Sequence, residues 1–405
     1  MSPRLPDGDP APRDGELPEA ALAGLGARPF GVYVHVPFCA SRCGYCDFNT
    51  YRHQPDLARG YVAALRAEIA AWGERPEIAG RPAATVFLGG GTPSLLDPAE
   101  LAEILGAARA AFGLAPGAEV TLEANPGTVD AAKFWGFRAA GANRLSLGVQ
   151  AFQERLLRMA GRDHAVADIR RAVADARAAG FANVSLDLIF ALPDQTLDEW
   201  VASLDEAVAL APEHVSAYGL TYEEGTPFYR DRQAGRLRPV DEETEAAMYD
   251  LAIARLATAG YEQYEISNFA RPGFRSVHNQ IYWHCGDYLG LGAGAHSCLG
   301  GRRFFNRRLP QDYIEAVRRQ GTAEAGGEDL TPRQRLGEAM VLGLRLREGV
   351  NLDDLAARFA PWGLAPDAGT LDRLEGVGLL ERRGPCLRLT DRGLRLANEV
   401  FVALV

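Results

Sequence analysis

The feature that most restricts the fold is a pattern repeated along the first half of the chain: a short apolar run, then a longer stretch with helical spacing. The runs are Val32–Val36, Thr85–Leu88, Glu119–Glu123, Arg144–Gly148, Asn183–Phe190 and His214–Leu220. Tyr61–Trp72, Pro98–Phe112, Val129–Ala140, Ala165–Ala179 and Leu197–Ala209 lie between them as amphipathic helices, and Asp241–Ala259 is a further helix. Strands that alternate with helices lie parallel, joined by right-handed crossovers. Six units are too few for a closed eight-stranded barrel. They leave an α/β chain with either a curved, partial (β/α)6 barrel or a doubly wound open sheet.

The barrel proper is expected over residues 29–260, after a disordered tail over residues 1–28 that is rich in Pro, Ala, Gly and Asp. Residues 261–328 are aromatic and Gly-rich and read as an irregular extension. Residues 329–405 give helices over Pro332–Leu346 and Leu352–Phe359. Thr370–Gly376 then leads into a hairpin and a last helix, Asp391–Leu404, in a winged-helix-like order. Such a domain suggests nucleic acid, but a formal charge of −10 does not supply the basic face that phosphate neutralisation needs. No nucleic-acid partner is expected. No run reaches the ~18 apolar residues of a membrane span, and the first residues lack the apolar core of a signal peptide.

Six cysteines among 405 residues are too sparse for a disulfide scaffold. Cys285, Cys298 and Cys386 are scattered, whereas Cys39, Cys43 and Cys46 share one loop just after the first apolar run. In a reducing, cytoplasmic setting such a group is a metal site. Three thiolates can hold three corners of an iron–sulfur cube, for which four cysteines are usual, leaving one iron open to a small molecule. A structural zinc site is the other possibility, with His35 or His53 as fourth ligand. His35 itself is better read as a strand residue.

The segment Tyr33-x-His-x-Pro-Phe-Cys39-x3-Cys43-x-Tyr-Cys46 resembles the radical S-adenosylmethionine superfamily, in the branch of the oxygen-independent coproporphyrinogen III oxidases. The resemblance implies a partial barrel with a C-terminal winged-helix-like domain, and a [4Fe-4S] cluster on the three cysteines. It implies that S-adenosylmethionine chelates the open iron, where a reduced cluster splits the sulfonium to release a 5′-deoxyadenosyl radical. Further motifs match in order. Gly89-Gly90-Gly91-Thr92-Pro93 resembles the family's motif for the methionine amino group, implying contacts from Gly90, Gly91 and Thr92. Read alone, a glycine run permits close backbone approach and exposes amide donors, or is only a turn. Glu123, Gln150, Arg162 and Asp187 match the family in spacing. A guanidinium fork suits the carboxylate of the cofactor, and an acid inside an apolar strand, as Asp187 is, needs a partner. Tyr33 and Tyr45 flank the cluster loop and pack either on the cofactor or in the core.

Two features divide the branch. Its oxidases show another cysteine two positions after the third ligand; here that position is Phe48, which cannot replace a thiol. His278-Asn-Gln-Ile-Tyr-Trp283 is similar to the His-Asn-x-x-Tyr-Trp motif of HemW-type haem chaperones. That resemblance implies a protein that binds haem, with His278 among its contacts, and hands it to apo-haemoproteins, including membrane respiratory enzymes. A homodimer is consistent with it. The plain alternative is that His278 and Asn279 bond locally while Tyr282 and Trp283 pack. Arg302, Arg303, Arg307 and Arg308 are either partners for haem propionates or a solvated basic loop. A coproporphyrinogen oxidase, another radical enzyme or a zinc-stabilised adaptor are the competing functions.

Overall fold

The computed structural model describes residues 9–10, 30–76, 78 and 80–405. The tail expected over residues 1–28 lies outside them except for Asp9–Pro10, which pairs antiparallel with the end of Glu324–Asp329. Six parallel strands form the centre: β1 Phe30–Val36, β2 Ala83–Gly90, β3 Leu114–Ala124, β4 Arg144–Gln150, β5 Val184–Phe190 and β6 His214–Gly219. They lie side by side in chain order, each parallel to the next. A doubly wound sheet would reverse its order at a switch point. The unbroken order is barrel winding, and the sheet stays open as a partial barrel.

The helices that follow the strands begin where their sequences provide stops. Asp97 caps Pro98–Phe112, with Glu100 bonding back to the Asp97 amide at 2.9 Å. Thr196 and Glu199 form the same reciprocal pair before Leu197–Ala209. Each such pair satisfies amides that the first helical turn leaves free. Buried Leu101, Ile104, Leu105 and Ala108 in the first, and Trp200, Leu204 and Ala207 in the second, face the sheet.

The segment 261–328 is more regular than its composition suggested. Asp287–Leu291 lies parallel to β1 as a seventh parallel strand, and His296–Leu299, Arg302–Asn306 and Glu324–Asp329 continue the sheet antiparallel. On the far edge, Asn268–Ala270 pairs antiparallel with β6. The glycines that made this region read as irregular are places of close approach. A side chain on Gly290 would collide with the His296 carbonyl of the next strand.

Residues 332–404 build a separate apolar cluster, from Leu336 to Phe401. Helices Pro332–Gly343, Leu352–Phe359 and Ala368–Gly376 accompany a three-stranded sheet of Val350–Asn351, Cys386–Leu389 and Leu380–Arg383. The last helix is two short ones, Asp391–Arg395 and Ala397–Leu404, broken at Leu396. This unit is fastened to the barrel by Arg345 on the fully buried Glu265 (3.2 Å) and by Arg395 on Asp250 (2.8 Å).

Candidate functional site

The cluster loop leaves the barrel at the C-terminal end of β1. Its two ends are pinned together: the Tyr51 amide donates to Pro37 O (2.7 Å) and the His53 amide to Cys39 O (2.9 Å). Within the loop, a Cβ on Gly44 would meet the Phe228 ring at 2.5 Å, so the packing of Phe228 already requires glycine there. The Thr92 hydroxyl points at Cys39 Sγ (3.6 Å) and Arg162 Nη1 at Cys43 Sγ (3.3 Å). Burial pushes the Cys39 thiol up to about 11 and the Cys46 thiol up as well. Thiols held in the protonated form by burial are turned into thiolates when they bind a cation. Of the two zinc candidates, His35 has both ring nitrogens committed elsewhere, to Tyr33 Oη (2.9 Å) and Asn49 O (3.0 Å), and His53 packs edge-on against Phe38.

The three cysteines line a cavity of about 770 Å³ at the strand ends. Tyr33, Tyr45, Gly90, Gly91, Thr92, Glu123, Gln150, Arg162, Asp187 and His278 line it too. Arg144, Ser146, Ser216 and Tyr218, which the sequence motifs did not single out, complete its floor. The signal for the serines was present: Ser146, Ser185 and Ser216 interrupt three neighbouring apolar strands, and the first two bond Asp187 at 2.8 and 3.2 Å.

Each expected residue has a definite setting. Tyr33 stacks on Phe87, and Tyr45 packs edge-on against Phe228, so both combine a packing role with a place on the wall. Gln150 has a φ of 68°, and the β4–β5 register slips beside it. A non-glycine residue in this conformation stores strain of a kind that clusters at functional sites. Arg162 donates to Gly148 O (2.9 Å) as well as to Cys43, while its buried Nε has no partner.

The glycine run works differently from expectation. Its amides are not free donors: Gly90 N–H bonds Glu123 Oε2 (3.0 Å), Gly91 N–H bonds Val36 O and Thr92 N–H bonds Phe38 O (both 2.8 Å). A Cβ on Gly91 would lie 2.6 Å from Phe38 O, and one on Gly90 would strike the His35 ring. The motif therefore clamps the cluster loop to β2.

Glu123 and Asp187 face each other across the cavity floor. Burial first, and then the Asp187 charge, pushes the Glu123 carboxyl up to about 7. Burial also raises Asp187, against its serine hydrogen bonds and Arg144.

His278 is placed against its expected role as a haem contact. It is buried at the start of the helix Val277–Trp283, whose first amides donate to Glu119. Nδ1 bonds Thr85 Oγ1 and Nε2 bonds Tyr282 Oη, both at 2.7 Å. Its ring stacks on Phe87 with centroids 5.0 Å apart. Burial and then the Arg144 charge hold the imidazole down at about 3. With both nitrogens hydrogen-bonded, this histidine holds the motif helix onto β2, and ligating iron would cost it one of those bonds.

Residues 33–207 match the Radical SAM superfamily and residues 330–396 the HemN C-terminal domain. The haem chaperone HemW of Mycobacterium tuberculosis is 41% identical, covering 96% of this chain and 98% of that protein. The chain belongs to the HemW family of radical SAM proteins. The HemW of Bacillus subtilis is 38% identical over 92% of this chain and 98% of its own. The solved structure of the Escherichia coli coproporphyrinogen III oxidase HemN, a radical SAM enzyme, is similar with a TM-score of 0.82 at 25% identity, covering 96% and 93% of the two chains. A [4Fe-4S] cluster and S-adenosylmethionine are the cofactors of this superfamily. The donor set suits them: three thiols on one loop, the Arg162 guanidinium beside Cys43 with its buried Nε unpartnered, and two acids, Glu123 and Asp187, in the same cavity. No helix among the described residues is long and apolar enough to cross a membrane.

Proposed function

We propose that the chain is a cytoplasmic haem chaperone, binding haem and passing it to apo-haemoproteins, membrane respiratory enzymes among them. The observation that carries this reading is near-full-length identity with HemW proteins whose names record that role. Phe48 supports it, standing exposed at the mouth of the cluster cavity where the branch's oxidases have a cysteine.

Cys39, Cys43 and Cys46 would hold the cluster, which together with S-adenosylmethionine supplies one-electron chemistry when bound. Arg162 would use its free Nε toward the carboxylate of S-adenosylmethionine. The amino group is itself a donor, so Glu123 and loop carbonyls of Gly90–Thr92 are suitable acceptors. Asp187 would take a ribose hydroxyl. Gln150, Tyr33 and Tyr45 would close the walls around the cofactor.

The competing reading, porphyrinogen decarboxylation, draws on the likeness to HemN. An anaerobic experiment separates the two. The cluster-loaded protein is given haem, and separately coproporphyrinogen with S-adenosylmethionine and a reductant. Stable haem binding with transfer to an apo-haemoprotein, and no decarboxylation, is the expected outcome. Robust decarboxylation without haem binding overturns the proposal. Sedimentation of the same sample with and without haem reports whether the working form is a homodimer.

A further inference from the structure

A second cavity, of about 870 Å³, lies beside the first, within the range of roughly 300–1,000 Å³ common for cofactor-sized sites. Tyr33, Phe48, Gly90, Glu123 and Tyr282 line both and form the wall between them. One side of the second cavity is a sheet face. Tyr288 stands opposite Cys298, Cys298 opposite Arg303, and His296 opposite Phe305. Directly paired residues project to the same side of a sheet, and these five all line the cavity. Facing them are Trp283 from the end of the motif helix and Leu342 from the C-terminal unit. The result is a slot with aromatic walls, suited to a flat apolar ring.

The seven histidines of the chain are not equivalent. His35, His164, His214 and His278 have both ring nitrogens hydrogen-bonded. His284 faces Glu348 and His53 packs on Phe38, and neither lines either of these two cavities. His296 lines the second cavity, packs against Phe305 with ring centroids 5.5 Å apart, and has no hydrogen-bond partner among the described residues. Partial desolvation at the cavity wall, then the charges of Arg303 and Arg308, hold its imidazole below the usual range although the residue is open to solvent, in the neutral form that ligates metals. The two arginines differ. Arg303 is paired with Glu328 and Glu338, whereas Arg308, exposed at the rim, has no carboxylate partner among the described residues.

The geometry points to this second cavity as the haem site, with His296 as the axial ligand to iron and Arg308 pairing a propionate. The assignment rests on the haem-chaperone reading and moves the iron from His278 to a histidine outside the motif. A guanidinium fork beside a propionate is a charge-assisted pair, and imidazole is among the usual haem ligands.

The test uses full-length protein with its cluster in place, titrated anaerobically with ferric haem and followed by difference absorption and electron paramagnetic resonance. His296→Ala is expected to lose the imidazole-ligated signature and to bind haem at least about tenfold more weakly. Added free imidazole restores the signature, and the iron and sulfide of the cluster stay unchanged. Arg308→Glu weakens haem binding, and the difference from wild type disappears with haem dimethyl ester, which lacks the carboxylates. A wild-type signature retained in His296→Ala overturns the assignment while leaving the chaperone reading intact. Wild-type protein that binds no haem overturns both.

Discussion

The two cavities share a wall but are assembled from opposite kinds of sequence. The first gathers residues of regular, strongly apolar strands (Tyr33, Glu123, Gln150 and Asp187) with loops near the strand ends that carry the cysteines and Arg162. The second draws on residues 33–49, Gly90, Glu123, 282–308 and 338–342, and of the recognisable motif it takes only Tyr282 and Trp283. Their histidines show the difference best. His278 sits in the recognisable motif and is consumed by structure; His296 sits in a glycine-rich strand pair and is free. A motif marks what a family keeps, and a buried residue that holds two elements together is kept as firmly as a ligand.

The largest effect expected is in the first cavity alone. Cys43→Ser should abolish cluster assembly, read as loss of brown absorbance and of bound iron and sulfide, because two thiolates remain where three are needed. Haem binding in the second cavity should survive. Retained iron in the variant would sink the cluster assignment; loss of haem along with the cluster would show that the two cavities are one functional unit.

Next come the two histidines. His278→Ala removes partners from two buried hydroxyls, Thr85 and Tyr282, and should cost about 2–4 kcal/mol in denaturant unfolding. His296→Ala removes a ring that is open to solvent on the cavity wall, touches Phe305 and has no hydrogen-bond partner among the described residues, and should stay within ~0.5 kcal/mol of wild type. Equal destabilisation of the two would remove the contrast drawn here. His278→Asn, which keeps one donor and one acceptor, should recover part of the loss.

The barrel was legible because alternation of apolar runs with amphipathic helices leaves few topologies, and the strand ends then fix where a motif must lie. The helices at Pro98 and Leu197 start where amphipathic spacing put them, and Asp97 and Thr196 cap them in the structure. The extension was not. Asp287–Leu291 and its neighbours carry glycine where sheet strands usually carry β-branched residues, because backbone from adjacent strands presses on Gly290. Contacts that depend on tertiary approach leave no periodic trace. The glycine run at Gly90 and Gly91 belongs to the same class: its position was legible, but its use of all its amides within the fold was not.

A smaller effect reads the wall shared by the two cavities through pH. The Glu123 carboxyl, raised to about 7 by burial and Asp187, binds a proton more readily in the folded chain than in the unfolded one. Stability of the cluster-free protein should therefore fall as pH rises from the ordinary carboxylate range to about 7, and level off above it. Glu123→Gln keeps an acceptor for the Gly90 amide but carries no charge. It should remove Glu123's share of this slope, leaving that of Glu68, which burial also raises to about 7, and exceed wild type by about 1–3 kcal/mol above pH 7, with little difference at pH 4. An unchanged slope in the variant would place the titrating group elsewhere.

The smallest change tests the wall itself. Phe48 is 63% exposed and lines both cavities, so its ring contributes little to folding and is available to a bound molecule. Phe48→Ser should leave unfolding within ~0.5 kcal/mol of wild type and cluster iron unaltered. If the ring covers part of a porphyrin, losing that partial burial costs about 1 kcal/mol, or roughly fivefold in haem affinity. S-adenosylmethionine affinity, measured in the same samples, should hardly move. The reverse pattern, with haem binding untouched and S-adenosylmethionine weakened, would assign Phe48 to the cluster cavity. The absence of a thiol at this position would then bear on radical chemistry and not on haem.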